Sequence, residues 1–280
     1  MGNQIHWFPG HMKKALDEIK DKIKIVDVII ELFDSRCPFS SINNELEQIS
    51  SNKKKLIILT KPDLADPLKT NALKQKLTEK YDVILVLNIN DQQSKKAIED
   101  AVRKLGQDKH KRDIAKGMKP QPIRAMILGI PNVGKSSLIN RFAAKKVAGV
   151  QNKPGYTRGE QWIKINNDFL LLDTPGVLPM NYDNKKKATN LALVGSIREE
   201  ILPTNELSDY LLSFLKENYP NSLKDRFDID EINDFNDVYL SICKRRGLLD
   251  NNGLPNIEKA QLLLLKEFKD GKLGRISLEK

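Results

Sequence analysis

Two cysteines, Cys37 and Cys243, are all that the 280 residues contain. That excludes a disulfide scaffold and points to a reducing compartment. No apolar run approaches the ~20 residues that cross a bilayer. The opening Met1-Gly-Asn-Gln-Ile-His-Trp has neither the apolar stretch of a secretory signal nor the Arg/Ser bias of a transit peptide. The expectation is a cytoplasmic chain with no membrane association. Histidines number three, His6, His11 and His110, and no zinc-ligand, RRM or KH signature is present. No internal repeat is visible. What remains is ordinary globular material: 40% hydrophobic and 30% charged. Collagen-like, mucin-like and wholly disordered readings are excluded. At about 150 residues per domain, the length suggests two domains. Lys plus Arg number 47 against 37 Asp plus Glu, a net charge of +10, which favours a polyanionic partner.

The first hundred residues alternate between two periods. Short β-branched runs at 25–33, 56–59 and 83–87 read as strands, and 68–80 and 93–105 read as helices. Buried strands separated by helices indicate a parallel sheet. Residues 106–122, rich in Lys, Gly and Pro, read as a basic connection. A strand at 123–128 then runs through a glycine-rich turn into a helix at 135–144. The segments 161–165 and 169–172 form a strand pair turning at Asn166-Asn-Asp168. After Pro179 the β signal ends. Helices are predicted over 189–201, 206–217, 229–246 and 256–269, with Gly247 and Gly271 as C-terminal caps. The α/β part spans 1–180 and the α-helical part 185–280. Leu262–Leu265 and Phe268 are expected to be core.

Gly129-Ile-Pro-Asn-Val-Gly134-Lys135-Ser136 fits G-x-x-x-x-G-K-[ST] between a strand and a helix, the context this phosphate-binding loop requires. Its glycines let backbone N–H groups face phosphate oxygens, and the helix N-terminus adds a favourable dipole. Lys135 would reach the β- and γ-phosphates and Ser136 would hold Mg²⁺. Asp173-Thr-Pro-Gly176 ends a strand. Alone, D-x-x-G is a common turn; downstream of a phosphate loop, Asp173 would hold the metal through water and Gly176 would offer its N–H to a γ-phosphate. Thr157, in a Gly/Pro-rich loop, either joins the Mg²⁺ shell when a γ-phosphate is present or is an ordinary loop threonine. Thr60-Lys61-Pro62-Asp63 matches N/T-K-x-D. Asp63 would accept from guanine N1–H and N2–H₂, a donor pair adenine lacks, and the Lys61 stem would lie over the base. The same four residues could also be a Pro-stabilised turn. This motif precedes the phosphate loop, the reverse of the usual order, and no second copy follows.

At this point the sequence resembles the YlqF/RbgA (ribosome biogenesis GTPase A) family of circularly permuted GTPases. The similarity extends over Trp7-Phe-Pro-Gly-His11-Met12-x-Lys-Ala15, Glu31-Leu-x-Asp34-x-Arg36-x-Pro38, the phosphate loop through Asn140, and Gly271-Lys-Leu-Gly-Arg-Ile276. The resemblance implies a Rossmann-like, circularly permuted P-loop GTPase domain followed by an α-helical RNA-binding domain. It implies GTP/GDP, Mg²⁺ and K⁺ as ligands, with the large ribosomal subunit precursor and its rRNA as partners of a monomer. GTP-binding positions would be Thr60, Lys61, Asp63, Asn88, Ile89, Asn132, Val133, Gly134, Lys135, Ser136, Ser137 and Gly176. Metal positions would be Ser136, Thr157 and Asp173 for Mg²⁺ and Asn132 for K⁺. Thr60 stands where the family more often has Asn, and threonine has no carboxamide to bridge the base and the phosphate loop. Val177 occupies the position where Ras-like proteins carry a water-orienting Gln, so another group must act. The resemblance implies His11, besides Lys135, as catalytic. His11 could instead pin the N-terminal segment or contact RNA. Lys244-Arg245-Arg246, Lys266, Lys269, Lys272 and Arg275 are either a solvated face or phosphate contacts. The leading expectation is a GTP-dependent assembly factor. A nucleotide-regulated RNA-binding scaffold with incidental hydrolysis is the alternative, and a P-loop enzyme of small-molecule metabolism the third.

Overall fold

The computed structural model of the chain describes residues 10–143, 162–179, 185–197 and 202–280. Its strands are β1 (Val28–Asp34), β2 (Lys54–Thr60), β3 (Val83–Val86), β4 (Ile123–Gly129), β5 (Trp162–Lys164) and β6 (Phe169–Leu172). They form one sheet in the order β3-β2-β1-β4-β6-β5. All neighbours are parallel except β5 against β6. Every residue of β1 is buried, and so is every residue of β4 except Arg124. Strands covered on both faces need such near-continuous apolar runs.

The register aligns the strand ends. Asp34 lies opposite Thr60, and Leu32 opposite Gly129. The carboxyl ends of β1, β2 and β4 therefore share one edge. The chain builds outward from β1 to β3 on one side, then resumes with β4 on the other. That reversal creates a crevice at the carboxyl edge, where open α/β sheets bind ligands.

Helices α1 (Gly10–Lys22), α2 (Pro38–Ser41), α3 (Asn44–Ile49), α4 (Pro67–Thr78), α5 (Gln92–Leu105), α6 (Gln107–Ala115) and α7 (Lys135–Ala143) accompany the sheet. Asn43 caps α3 by accepting from Glu45 and Leu46 N–H, and Asp66 caps α4 with Pro67 at its first turn. The expected connection 106–122 instead contains α6. None of its residues is buried, so no apolar periodicity marked it as a helix.

The remaining helices are α8 (Lys185–Leu193), α9 (Thr204–Asn218), α10 (Ser222–Phe227), α11 (Phe235–Arg246) and α12 (Ile257–Lys269). Of the helix expected over 229–246, only Phe235–Arg246 is helical, as α11, while α10 lies before that span and was not expected. Asp228 ends α10 in the left-handed conformation, and Asp234 starts α11 by accepting from Asn236 and Asp237 N–H. Gly247 and Gly271 do follow helix ends with positive φ, 63° and 73°. Leu211, Leu212 and Leu215 of α9 share a core with Ile242 of α11 and with Leu264, Leu265 and Phe268 of α12. Each such burial contributes roughly 1.5–3 kcal/mol. Leu262 departs from expectation: it faces solvent, 41% exposed.

Beyond α12 the chain returns to the sheet domain. Ile276 N–H donates to Leu64 O at 3.0 Å and Leu278 N–H to Arg36 O at 2.7 Å. The Glu279 carboxylate accepts from Phe39 N–H and Ser40 N–H, both at 2.8 Å.

Candidate nucleotide site

The turn from β4 into α7 takes backbone conformations that few residue types allow. Gly129, Asn132 and Gly134 have φ of 148°, 57° and 111°. A Cβ on Gly129 would sit 2.9 Å from Leu32 O, and one on Gly134 2.8 Å from Ile89 Cδ1. Asn is among the few non-glycine residues that tolerate the left-handed region. Lys135 is buried beneath this loop and donates to Gly129 O at 3.0 Å and Ile130 O at 2.8 Å. Burial pulls its ammonium down to about 8, while the charge of Asp173 works the other way. Ser136 and Ser137 are exposed in the first turn of α7, where N–H groups and the helix dipole favour an anion.

The D-x-x-G segment lies directly against this loop. A Cβ on Gly176 would fall 2.9 Å from Lys135 Nζ and from Pro131 Cα. The Thr174 hydroxyl donates to Ile127 O on β4, and Val177 N–H to Gly129 O at 3.3 Å. Burial raises the Asp173 carboxyl, opposed by the Thr174 N–H and by Lys135. Val177 is fully buried among apolar side chains, so it presents nothing to a reacting water.

The structure brings the base motif to the same edge. The Thr60 hydroxyl lies 3.1 Å from Phe33 O and 2.8 Å from Val133 O. A hydroxyl at the end of β2 thus bridges to the phosphate loop without a carboxamide. Lys61 holds φ 54°, a conformation that costs a non-glycine residue of order 1–3 kcal/mol. Its Nζ is held by Asp34 Oδ2 at 3.0 Å and Asn132 O at 2.8 Å. Asp63 is exposed, and Asn88 Nδ2 donates to its Oδ1 at 3.2 Å. Ile89 is buried against Gly134. Asn88 and Ile89 therefore meet both the base motif and the phosphate loop.

Several partners were not foreseen. Arg36 forks onto Asp34 at 2.9 and 2.8 Å, with both side chains about fully buried. Burial opposes the Asp34 charge, but Arg36 and Lys61 outweigh it and hold the carboxyl well below the usual range. The same guanidinium reaches Lys269 O at 3.3 Å and Val194 O at 3.5 Å. Asn132 Nδ2 donates to Gly195 O at 2.7 Å. Arg275, expected as a phosphate contact, instead donates to Pro62 O at 2.7 Å and Ala65 O at 2.9 Å. Arg245 pairs with Asp228, and Arg246 with the buried Glu267 that Arg226 also clasps. Part of the expected basic face is thus neutralised internally. In the Glu31–Pro38 hallmark, Asp34 and Arg36 join the site, whereas Glu31 lies 3.8 Å from Lys55. His11 stands at the start of α1, but its side chain lies outside the described residues, as does Thr157 altogether.

The arrangement can cradle a polyphosphate on N–H groups, neutralise it with Lys135, and offer a carboxylate to a base about one strand away. Ser136 and Asp173 are oxygen donors that suit a hard cation whose other ligands are phosphate and water. No cluster of three His, Cys, Asp or Glu that could bind a metal unaided occurs among the described residues.

Comparisons with known proteins agree with this geometry. A family model described as 50S ribosome-binding GTPase matches residues 124–240. Ribosome biogenesis GTPase A of Bacillus cereus is 39% identical over 276 residues, covering 98% of this chain and 93% of its own. That of Bacillus licheniformis is 40% identical over 277 residues, covering 99% and 98%. The crystal structure of GNP-bound YlqF from T. maritima superposes with a TM-score of 0.69 at 26% identity, covering 95% of this chain and 98% of that one.

Proposed function

The chain belongs to the ribosome biogenesis GTPase A family, and from that premise we propose that it is a cytoplasmic GTPase that assists assembly of the large ribosomal subunit. It engages immature particles and their rRNA in its GTP state, hydrolyses GTP to GDP and phosphate, and departs. One observation carries this reading. The base motif, early in the sequence, meets the phosphate loop through the Thr60–Val133 hydrogen bond of 2.8 Å. A permuted order of motifs thereby folds into one guanine-nucleotide site.

Lys135 moves from the loop carbonyls to the β- and γ-phosphates as nucleotide enters. Gly134, Val133 and Ser137 line the phosphates with backbone and hydroxyl groups, and the Gly176 N–H faces the γ-phosphate. Ser136, Thr157 and, through water, Asp173 would hold Mg²⁺, which would compensate phosphate charge when bound. The Asn132 amide nitrogen is already engaged by Gly195, so its carbonyl oxygen is the atom that would hold K⁺. Asp63 reads guanine, flanked by Lys61, Asn88 and Ile89. His11 orients the attacking water, a task that buried Val177 cannot perform. The chain acts as a monomer on the particle.

Steady-state GTP hydrolysis in KCl, with and without purified large subunits, tests the proposal. We expect strong stimulation by the particle. Hydrolysis unchanged by large subunits would replace this reading with the RNA-binding scaffold.

A further inference from the structure

The guanine-reading loop is held from outside its own domain. Asp63 sits between Pro62 and Leu64, and the carbonyls of both neighbours accept from the segment that follows α12. Arg275 Nη2 donates to Pro62 O at 2.7 Å, Ile276 N–H to Leu64 O at 3.0 Å, and Arg275 Nε to Ala65 O at 2.9 Å. One residue further, Asp66 N–H donates to Ser277 Oγ at 3.1 Å. Ile276, Ser277 and Leu278 are buried. The approach is close: a Cβ on Gly271 would lie 2.6 Å from Leu64 Cδ2. Tyr219 at the end of α9 closes the joint, its hydroxyl 3.2 Å from Asp66 Oδ2 and accepting from Ser277 N–H at 3.1 Å.

Holding the Pro62–Asp63 peptide and the Leu64–Ala65 peptide one residue further on confines the backbone from which the Asp63 carboxylate projects. A bidentate contact to N1–H and N2–H₂ tolerates little displacement, because a misplaced carboxylate satisfies neither donor well. We propose that residues 271–277 are a specificity-determining buttress of the base site, with Arg275 as a positioning residue for Asp63. This rests on the guanine reading of Asp63. Arg275 touches no nucleotide atom. It acts through the Pro62 and Ala65 carbonyls, so its loss should blur discrimination at the base and leave the phosphate loop intact.

The experiment compares GDP with IDP, which lacks the 2-amino group, by calorimetry on the full chain. For Arg275→Ala, GDP affinity should fall about tenfold and IDP affinity about threefold or less, narrowing the GDP/IDP ratio. Arg275→Lys, able to reach one carbonyl but not fork onto two, should fall between. Ser277→Ala keeps Arg275 and should narrow the ratio in the same direction, which covers the case of an Arg275→Ala chain that does not fold. The base reading is checked separately. Asp63→Asn should shift preference from GDP to XDP, because the amide can donate to the xanthine 2-oxygen. If that switch fails, the guanine reading of Asp63 falls, and the buttress with it. If it succeeds while Arg275→Ala and Ser277→Ala keep the wild-type ratio, or weaken GDP and IDP equally, the buttress alone is overturned.

Discussion

At the phosphate end of the site, Lys135 is held by carbonyls six and five residues before it; at the base end, Pro62 and Ala65 are held by an arginine 213 and 210 residues later. One end is largely a local device, a turn shaped by its own glycines and buried lysine and then met by Thr60, Lys61 and Gly195. The other is assembled only when distant parts of the chain meet. Between them, Asp34 serves both: Lys61 ties it to the phosphate loop, and Arg36 ties it to carbonyls of Val194 and Lys269.

Arg36→Ala attacks that shared element and should have the largest effect. It leaves Asp34 buried without its fork, a loss of about 3–5 kcal/mol. Urea unfolding measures it, and a loss near zero would mean the two ends are not joined through this pair. Lys135→Ala isolates the local end. GDP and IDP affinity should both drop roughly 100-fold, as expected for a charge-assisted contact worth about 3 kcal/mol. Calorimetry giving a changed GDP/IDP ratio would blur the distinction between the ends. The smallest effect is one of pH. Lys135 is depressed to about 8 in the nucleotide-free chain, and phosphate favours its protonated form. Below pH 8 the cation is already present; above it, binding must take up a proton. GDP affinity should therefore fall by up to about tenfold per pH unit above pH 8. Calorimetry in buffers of different ionisation enthalpy would detect the uptake, and Lys135→Arg should flatten the profile.

The phosphate loop was legible because its signal is local. The two glycines, the lysine and the serine each answer a backbone or charge requirement within eight residues. The Thr60–Asp63 motif is as local, and the parallel sheet was legible from its apolar runs. What escaped the sequence were contacts whose second partner is a carbonyl. Every residue has one, so Pro62, Ala65, Gly195 and Lys269 carry no mark that an arginine or asparagine will find them. Arg275 thus read as one more surface charge. The contact of Thr60 with the backbone oxygen of Val133 was invisible for the same reason. Helix α6 was missed because it buries nothing, and α11 starts later than the shared helical spacing of Ile229, Ile232 and Phe235 implies.

The separation of Arg275 from Ala65 also has a consequence in time. The base-reading loop leaves the synthetic machinery 210 residues before its clamp exists. At 5–20 residues per second that interval is about 10–40 s. Partway through it the phosphate loop at 129–136 is made, while the Thr60–Asp63 loop still lacks its contacts to Arg275. If residues 271–277 buttress the base site as proposed, a nascent chain of this protein meets nucleotide phosphates well before it can tell one base from another.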